Sequence, residues 1–368
     1  LEYGPRTPIR GYTLATVLLI WGGLLILGAI RRVRRKQKGA LLFNLGFLLL
    51  ALATVEALAA NKLKNSISYP IRPASGTYTQ KDALMGYRGV PNSASRFKAV
   101  AGEDTVFDVT YTMDEHGLRI RPPAGESPPT SSVLCFGCSF TYGSGIADTD
   151  TWPWKLDAKL GDDVRVYNFA YNGYGPQQML AAIEGGLVAD VVTEPATHAV
   201  YLTFHDHVRR VSGKGGYAVN EPRFVLQEDG TPLRKGRFGD EATNVWSARL
   251  HRLLKHSNVA QLTMKAVTPD QYDMPLFVAV LKASRDDLRA RWPDCRFHVV
   301  LWEDVSPWGA AIKTELMEAG FEVWRAGDLI PGLDEDPAPY RIPALDGHPN
   351  PKATEALAAA LAERLGAS

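Results

Sequence analysis

Two stretches near the start of the chain leave little conformational choice. Gly11 to Ile30 is twenty residues without a charged side chain, and Ala40 to Ala60 is interrupted only by Asn44 and by Glu56 near its end. About 20 apolar residues cross the hydrocarbon of a bilayer, and in lipid a single segment satisfies its own backbone only as a helix. Residues 1–64 therefore read as a transmembrane hairpin, with helices over about 11–30 and 40–60. Between them lies Arg31-Arg32-Val33-Arg34-Arg35-Lys36-Gln37-Lys38, with six cations in eight residues. The positive-inside rule puts this loop, 31–38, in the cytoplasm. Both termini and everything after the hairpin then face the other side, the periplasm of a bacterial inner membrane. The competing reading is a signal peptide: a basic n-region at 31–38, an apolar h-region and Ala-Leu-Ala-Ala at 57–60 as cleavage site. The complete apolar span that precedes it argues for the hairpin.

The rest of the chain is ordinary in composition. Its 368 residues leave room for a large core. Lys+Arg is 41 and Asp+Glu is 40, so nothing global suggests nucleic acid. Cys135, Cys138 and Cys295 make neither a disulfide framework nor a zinc spacing. Cys135 and Cys138 sit three apart on an expected strand, pointing to opposite faces, and are not expected to bond to each other.

Residues 65–130 read as a connector with β-structure of its own. Short strands are expected around Val106–Tyr111 and Leu118–Ile120, broken by Asp114-Glu115-His116-Gly117, which is turn chemistry. Pro122, Pro123, Pro128 and Pro129 then make a linker. From residue 131 to 368 apolar runs alternate with helical patterns. Strands are predicted at 132–137, 164–170, 197–204, 296–302 and 321–325, and helices at about 151–160, 176–188, 275–292, 307–319 and 351–366. This is the pattern of a parallel sheet covered on both faces, an α/β domain. An insertion at about 211–245 breaks it. There Arg223–Gln227, Glu228-Asp229-Gly230 and Thr231–Arg234 read as a β-hairpin, either a lid or partner-binding element or a plain surface loop.

The chemistry concentrates where an apolar run stops abruptly: Val133-Leu134-Cys135-Phe136-Gly137-Cys138-Ser139-Phe140-Thr141-Tyr142-Gly143. Gly-x-Ser here presents the Ser139 hydroxyl at the carboxyl end of a buried parallel strand, the edge where open α/β sheets bind ligands. A base is available in Leu345-Asp346-Gly347-His348-Pro349-Asn350-Pro351, just before the last helix. The His348 imidazole would take the serine proton, and the Asp346 carboxylate would fix its tautomer and stabilise the imidazolium. A lone loop histidine is ordinarily solvated. It is the joint occurrence, Gly-x-Ser opening the domain and Asp-x-His closing it, that points to a serine hydrolase.

These residues carry a resemblance. Phe136 to Gly145 resembles the first block of the SGNH (GDSL-type) hydrolases, Asn168-Phe169-Ala170-Tyr171-Asn172-Gly173-Tyr174-Gly175 their second, and Asp346-Gly347-His348-Pro349-Asn350 their last. The resemblance covers roughly 131–366, with about 211–290 unmatched. The Glu115-His116-Gly117-Leu118-Arg119 segment is similar to what precedes the domain in envelope members. The resemblance implies a three-layer α/β/α sandwich with a five-stranded parallel sheet, Ser139 as nucleophile and His348 as base. It implies an oxyanion hole made of the Ser139 and Gly173 backbone N–H groups and a third-block asparagine, such donors supplying about 3 kcal/mol each.

Three departures stand out. Cys138 replaces the usual aspartate before the serine. Asp346 lies two residues before His348, where the commonest spacing is three. The expected Gly-x-Asn-Asp is absent, and His198 to Phe204 runs into His205-Asp206-His207-Val208-Arg209-Arg210. One alignment puts Asp206 at the asparagine position and another puts His205 there. An ionised carboxylate donates no hydrogen bond to an oxyanion, whereas a histidine can. A metal held by His205, Asp206 and His207 is disfavoured, because adjacent residues seldom converge on one ion. Trp152 and Trp154 read as core. Tyr142, Tyr171 and Tyr174 either stack on a sugar near the pocket or simply pack, and Arg209 and Arg210 pair with an anionic substrate or with Asp206.

The leading expectation is thus a membrane-anchored, periplasm-facing serine esterase or O-acyltransferase acting on an acylated envelope glycan or lipid, needing no metal or organic cofactor. The alternative is a catalytically degenerate domain of the same fold, serving as accessory or scaffold subunit of a membrane protein complex through its hairpin.

Overall fold

The structure is a computed structural model that describes residues 12–64, 71–73, 77–101, 104–123, 125, 127–213, 218–240, 257–260, 274–302, 307–342 and 347–366. The described residues fall into two compact units. One holds the two N-terminal helices with residues 71–72, 99–101, 104 and 257–260, and the other holds the remainder.

In the first unit, helix α1 spans Thr13–Arg34 and helix α2 spans Ala40–Lys64. Both are long and apolar enough to cross a membrane. The expected basic loop is shorter than 31–38, because α1 continues through Arg31, Arg32 and Arg34. Cations in a last helical turn complement the carbonyl end of the helix dipole. The helices touch through small residues. A side chain at Gly22 would lie 2.9 Å from the Gly46 carbonyl oxygen, and one at Gly39 would lie 2.8 Å from that of Ala29. Leu19, Trp21, Phe47 and Leu58 point outward, exposed. Glu56, the one carboxylate in the second apolar run, is buried; the Asn258 N–H donates to it at 2.6 Å, and the Ser257 hydroxyl also bonds to it.

The second unit is built on five parallel strands: β1 Ser131–Phe136, β2 Val164–Asn168, β3 Ala196–Thr203, β4 Arg296–Leu301 and β5 Glu322–Arg325. Their order across the sheet is β5-β4-β3-β1-β2, and all four pairings are parallel. Sheets of this kind are buried on both faces, which is why the strands read as near-continuous apolar runs. Alternate strand residues supply the two faces. Val133, Cys135, Val166, Val200, Leu202 and Val300 form a core with Leu156 of α3 (Trp152–Leu160) and with Leu357 and Leu361 of α4 (Pro351–Gly366). The helices 176–184, 274–291 and 307–318 complete the three-layer α/β/α arrangement. The predicted helix 176–188 ends at Glu184. Gly186, at φ +79°, opens a separate short helix, Leu187–Val191, because a left-handed residue cannot continue the first.

Ahead of the sheet, Leu118–Ile120 forms no strand. Asp114 Oδ1 accepts the His116 and Leu118 N–H groups at 2.9 Å each, closing a side-chain turn that leaves one bridge, Met113 to Arg119. The expected hairpin in the insertion is present as Pro222–Leu226 against Pro232–Arg237, antiparallel. It is tied to residues 83–84 by hydrogen bonds from Arg237 and Arg234 to the Ala83 and Leu84 carbonyls.

Candidate active site

Strand β1 ends at Phe136, and the chain turns through Gly137 and Cys138 into a four-residue helix, Ser139–Tyr142. The turn needs glycine at 137 for two reasons. Its φ is +147°, and a Cβ there would lie 2.4 Å from Thr141 Oγ1 and 3.0 Å from the Leu202 carbonyl oxygen. Thr141 donates to the Phe136 carbonyl, and Asn168 Nδ2 donates to that of Thr141 at 3.0 Å. Ser139 is thereby fixed at the carboxyl edge of the sheet.

His348 arrives from the other end of the sequence. Its loop is pinned by Asn350, whose amide donates to the Pro339 and Arg341 carbonyls while its oxygen caps the Lys352 and Ala353 N–H groups of α4. The Ile342 N–H donates to the His348 carbonyl at 2.8 Å. The result is a separation of 2.9 Å between His348 Nε2 and Ser139 Oγ. Phe140 supports the imidazole, ring to ring at 5.2 Å, and is itself stacked on Phe204 at 5.0 Å. Asp346, the expected orienting carboxylate, lies outside the described residues.

The second-block segment, 168–175, leaves the carboxyl end of β2, the strand beside β1. Gly173 has φ +85°, and a Cβ on it would lie 2.9 Å from the Tyr87 hydroxyl. That hydroxyl donates to the Asn172 carbonyl, and Asn172 Nδ2 donates to the Tyr78 hydroxyl at 3.0 Å. Tyr142, Tyr171 and Tyr174 are buried in one aromatic cluster with Tyr78, Tyr87 and Tyr111. Of the two readings of these tyrosines, they pack. Burial pushes the Tyr142, Tyr171 and Tyr174 hydroxyls upward, so all three stay neutral.

The third block departs as its sequence says. Asp206 opens a five-residue helix, Asp206–Arg210, and its carboxylate accepts from Arg210 Nε at 2.8 Å and Arg209 Nη1 at 3.4 Å. His205 precedes it, its ring edge-on to Phe204 at 5.8 Å. His207 turns into the core, where its Nδ1 meets the Tyr201 hydroxyl at 2.7 Å and Thr203 Oγ1 at 3.2 Å. Burial holds the His207 imidazole well below the ordinary histidine range, hence neutral. His207 is therefore bound up with Tyr201 and Thr203 while Asp206 pairs with arginines, and the three neighbours do not converge.

Two residues with no assigned role in the sequence hold the site. Arg119, 2% exposed, donates Nε to Asp148 at 2.7 Å, Nη1 to the Tyr142 and Gly143 carbonyls at 2.8 and 2.6 Å, and Nη2 to the Ile146 carbonyl at 2.7 Å. It lies over the Tyr111 and Tyr142 rings. It thus caps the carbonyl end of the Ser139 helix. Glu221, ahead of the insertion hairpin, is buried and accepts from Gln177 Nε2 at 3.1 Å. Burial pushes its carboxyl up to about 7, against that hydrogen bond and the charge of Arg210. The only signal for Arg119 was its place two residues after the Asp114–Gly117 turn.

No protein-family model matches the chain, and no curated protein matches it. Among solved structures, the chain is similar to esterase and lipase proteins. A lipase from a goat rumen metagenome is 12% identical, with 64% of this chain and 98% of that one covered and a TM-score of 0.37. A protein described as lipolytic and of the G-D-S-L family, from Desulfitobacterium hafniense DCB-2, is 11% identical, with 63% and 98% covered and a TM-score of 0.33. An acetyl xylan esterase from the rumen bacterium Butyrivibrio proteoclasticus is 10% identical, with 65% and 64% covered and a TM-score of 0.36.

Proposed function

We propose that the chain is a membrane-anchored, periplasm-facing serine esterase or O-acyltransferase acting on an acylated envelope glycan or lipid. The observation that carries this reading is the 2.9 Å approach of His348 Nε2 to Ser139 Oγ across 209 residues of sequence. Nucleophile and base in hydrogen-bond reach, at the ligand-binding edge of a parallel sheet, suit acyl transfer. Ser139 Oγ bonds to the ester carbonyl carbon as His348 Nε2 takes its proton. The tetrahedral intermediate collapses, the alkoxide leaves with that proton, and an acyl-enzyme remains. Water or a sugar hydroxyl, deprotonated by His348, then attacks the acyl carbon and frees Ser139. The Ser139 and Gly173 N–H groups are the donors toward the oxyanion. Asp346, two residues from His348 in sequence, is assigned the orienting role.

The two apolar helices support anchoring, and the six cations between the spans support the orientation. A domain held there meets acylated glycans and lipids of the envelope. The second reading, a degenerate scaffold subunit, is favoured by one feature: the third block has His205-Asp206 where an amide donor is expected, and one of the two alignments puts the Asp206 carboxylate at that position. Purified full-length protein treated with a fluorophosphonate probe, and assayed with p-nitrophenyl acetate, separates the two. The enzyme reading expects labelling and turnover that vanish in Ser139→Ala and fall by about 1,000-fold or more in His348→Gln. An inert wild type at pH 8 leaves the scaffold.

A further inference from the structure

Arg210 ties together the two segments that the reaction must hold in register, and this rests on the acyl-transfer reading above. Its Nη1 donates to the Tyr174 carbonyl at 2.8 Å, one residue beyond Gly173. Its Nε donates to Asp206 at 2.8 Å. The backbone is anchored as well, since Gln177 Nε2 donates to the Arg210 carbonyl at 3.1 Å. Finally, the guanidinium lies over the Phe204 ring, which is stacked on Phe140, the residue against His348.

One function that this chain lacks in its usual form is thereby met by one side chain. An amide in the third block would leave no negative charge near a developing oxyanion; the chain has His205-Asp206 there, and one of the two alignments puts the Asp206 carboxylate in the place of the amide. A bare carboxylate at that edge repels the oxyanion; one bound to a guanidinium is neutralised in place. Arginine suits this because its planar fork reaches several acceptors at once, which an ammonium does not.

We propose that Arg210 is the positioning residue of the oxyanion site: it holds the Gly173–Tyr174 loop to the Asp206 helix, backs the Phe204–Phe140 stack that supports His348, and neutralises Asp206. Arg210 touches no reacting atom and acts through its neighbours. The charged and titratable groups around it are Asp206, Arg209, His205, His207 and Glu221.

The test is p-nitrophenyl acetate turnover and the rate of fluorophosphonate labelling of the full chain, for wild type, Arg210→Met, Arg210→Lys, Asp206→Asn and Arg210→Met/Asp206→Asn. Thermal unfolding is followed in parallel. Removing an oxyanion donor typically costs 100- to 1,000-fold, so Arg210→Met is expected to lower kcat and the labelling rate about 100-fold with KM within about threefold. Arg210→Lys recovers only part. In the Arg210→Met background Asp206→Asn restores about tenfold, because the charge left uncompensated is gone. Three results overturn the assignment. Unchanged kcat and labelling in Arg210→Met would do so alone. A loss that Asp206→Asn does not rescue, in step with lost thermal stability, makes Arg210 merely structural. A wild type that neither turns over nor labels overturns the acyl-transfer reading, and this one with it.

Discussion

At the scale of single residues the site depends on buried polar groups that each hold several partners. Arg119 is the clearest. Its donors meet Asp148 and three carbonyls, and its charge lies against two tyrosine rings. Taking the guanidinium away leaves a carboxylate and three carbonyls without their donor in a buried place, and breaking such a pair from one side costs about 3 to 5 kcal/mol. Arg119→Met is therefore expected to lose about that much stability in urea unfolding, and Arg119→Lys nearly as much, because one ammonium cannot span the four acceptors. A loss under 1 kcal/mol would mean that the Ser139 helix keeps its carbonyl end satisfied by other means. The residues that sequence pattern revealed, Ser139 and His348, are the ones whose chemistry is visible in isolation: a serine after a buried run, a histidine on a loop. Arg119 was opaque because its partners are carbonyls and a side chain from distant segments, and no local pattern encodes such a partner; the pairing of Arg210 with Asp206, four residues apart, was legible, and its bond to the Tyr174 carbonyl was not.

The elements show the same division. All five strands were legible because a strand buried on both faces is an apolar run with ends. The break at Gly185-Gly186 was not, since the apolar period runs through it and only the left-handed Gly186 reveals it. One cross-strand device was also hidden. His198 of β3 and His298 of β4 face each other, Nδ1 to Nε2, at 3.0 Å, and His298 Nδ1 meets Glu322 of β5 at 2.9 Å. The carboxylate can only accept, so His298 carries its proton on Nδ1 and presents a bare Nε2, to which His198 Nδ1–H donates. Both rings are held neutral by burial, which disfavours the charged form of each. Burial, then the neighbouring His298 and Arg296, lowers His198 to about 4, and burial lowers His298. A folded-state value below the ordinary 6.5 gives stability that is complete above about pH 6.5 and lost as pH falls toward 4. The shift of His198 bounds the effect at about 3 kcal/mol, and partial solvent access reduces it to about 1 to 2 kcal/mol. Urea unfolding of the wild type is expected to show that loss between pH 7.5 and 5, and His198→Gln to flatten it. A wild type equally stable at both values would mean that the pair opens without cost.

At the scale of the whole molecule, the proposed activity depends on where the α/β domain is delivered, and that rests on the charge between the two apolar spans. Four of the six cations there, Arg31, Arg32, Arg34 and Arg35, lie at the end of α1 or just past it. Cations in a short loop set orientation because each is costly to carry across hydrocarbon. Gly22, Gly39 and Gly46 hold the two helices together as one hairpin, so the pair is expected to insert as a unit. Alkaline phosphatase fused to the C-terminus folds only outside the cytoplasm, and green fluorescent protein fluoresces only inside. The phosphatase fusion is expected to be active and the fluorescent fusion dark. Replacing the four arginines by glutamine leaves helix propensity nearly unchanged while removing the orienting charge, and is expected to cost about half or more of the phosphatase signal. An active fluorescent fusion of the wild type would place the Ser139–His348 pair in the cytoplasm, away from acylated envelope glycans, and would require a cytosolic ester in their place.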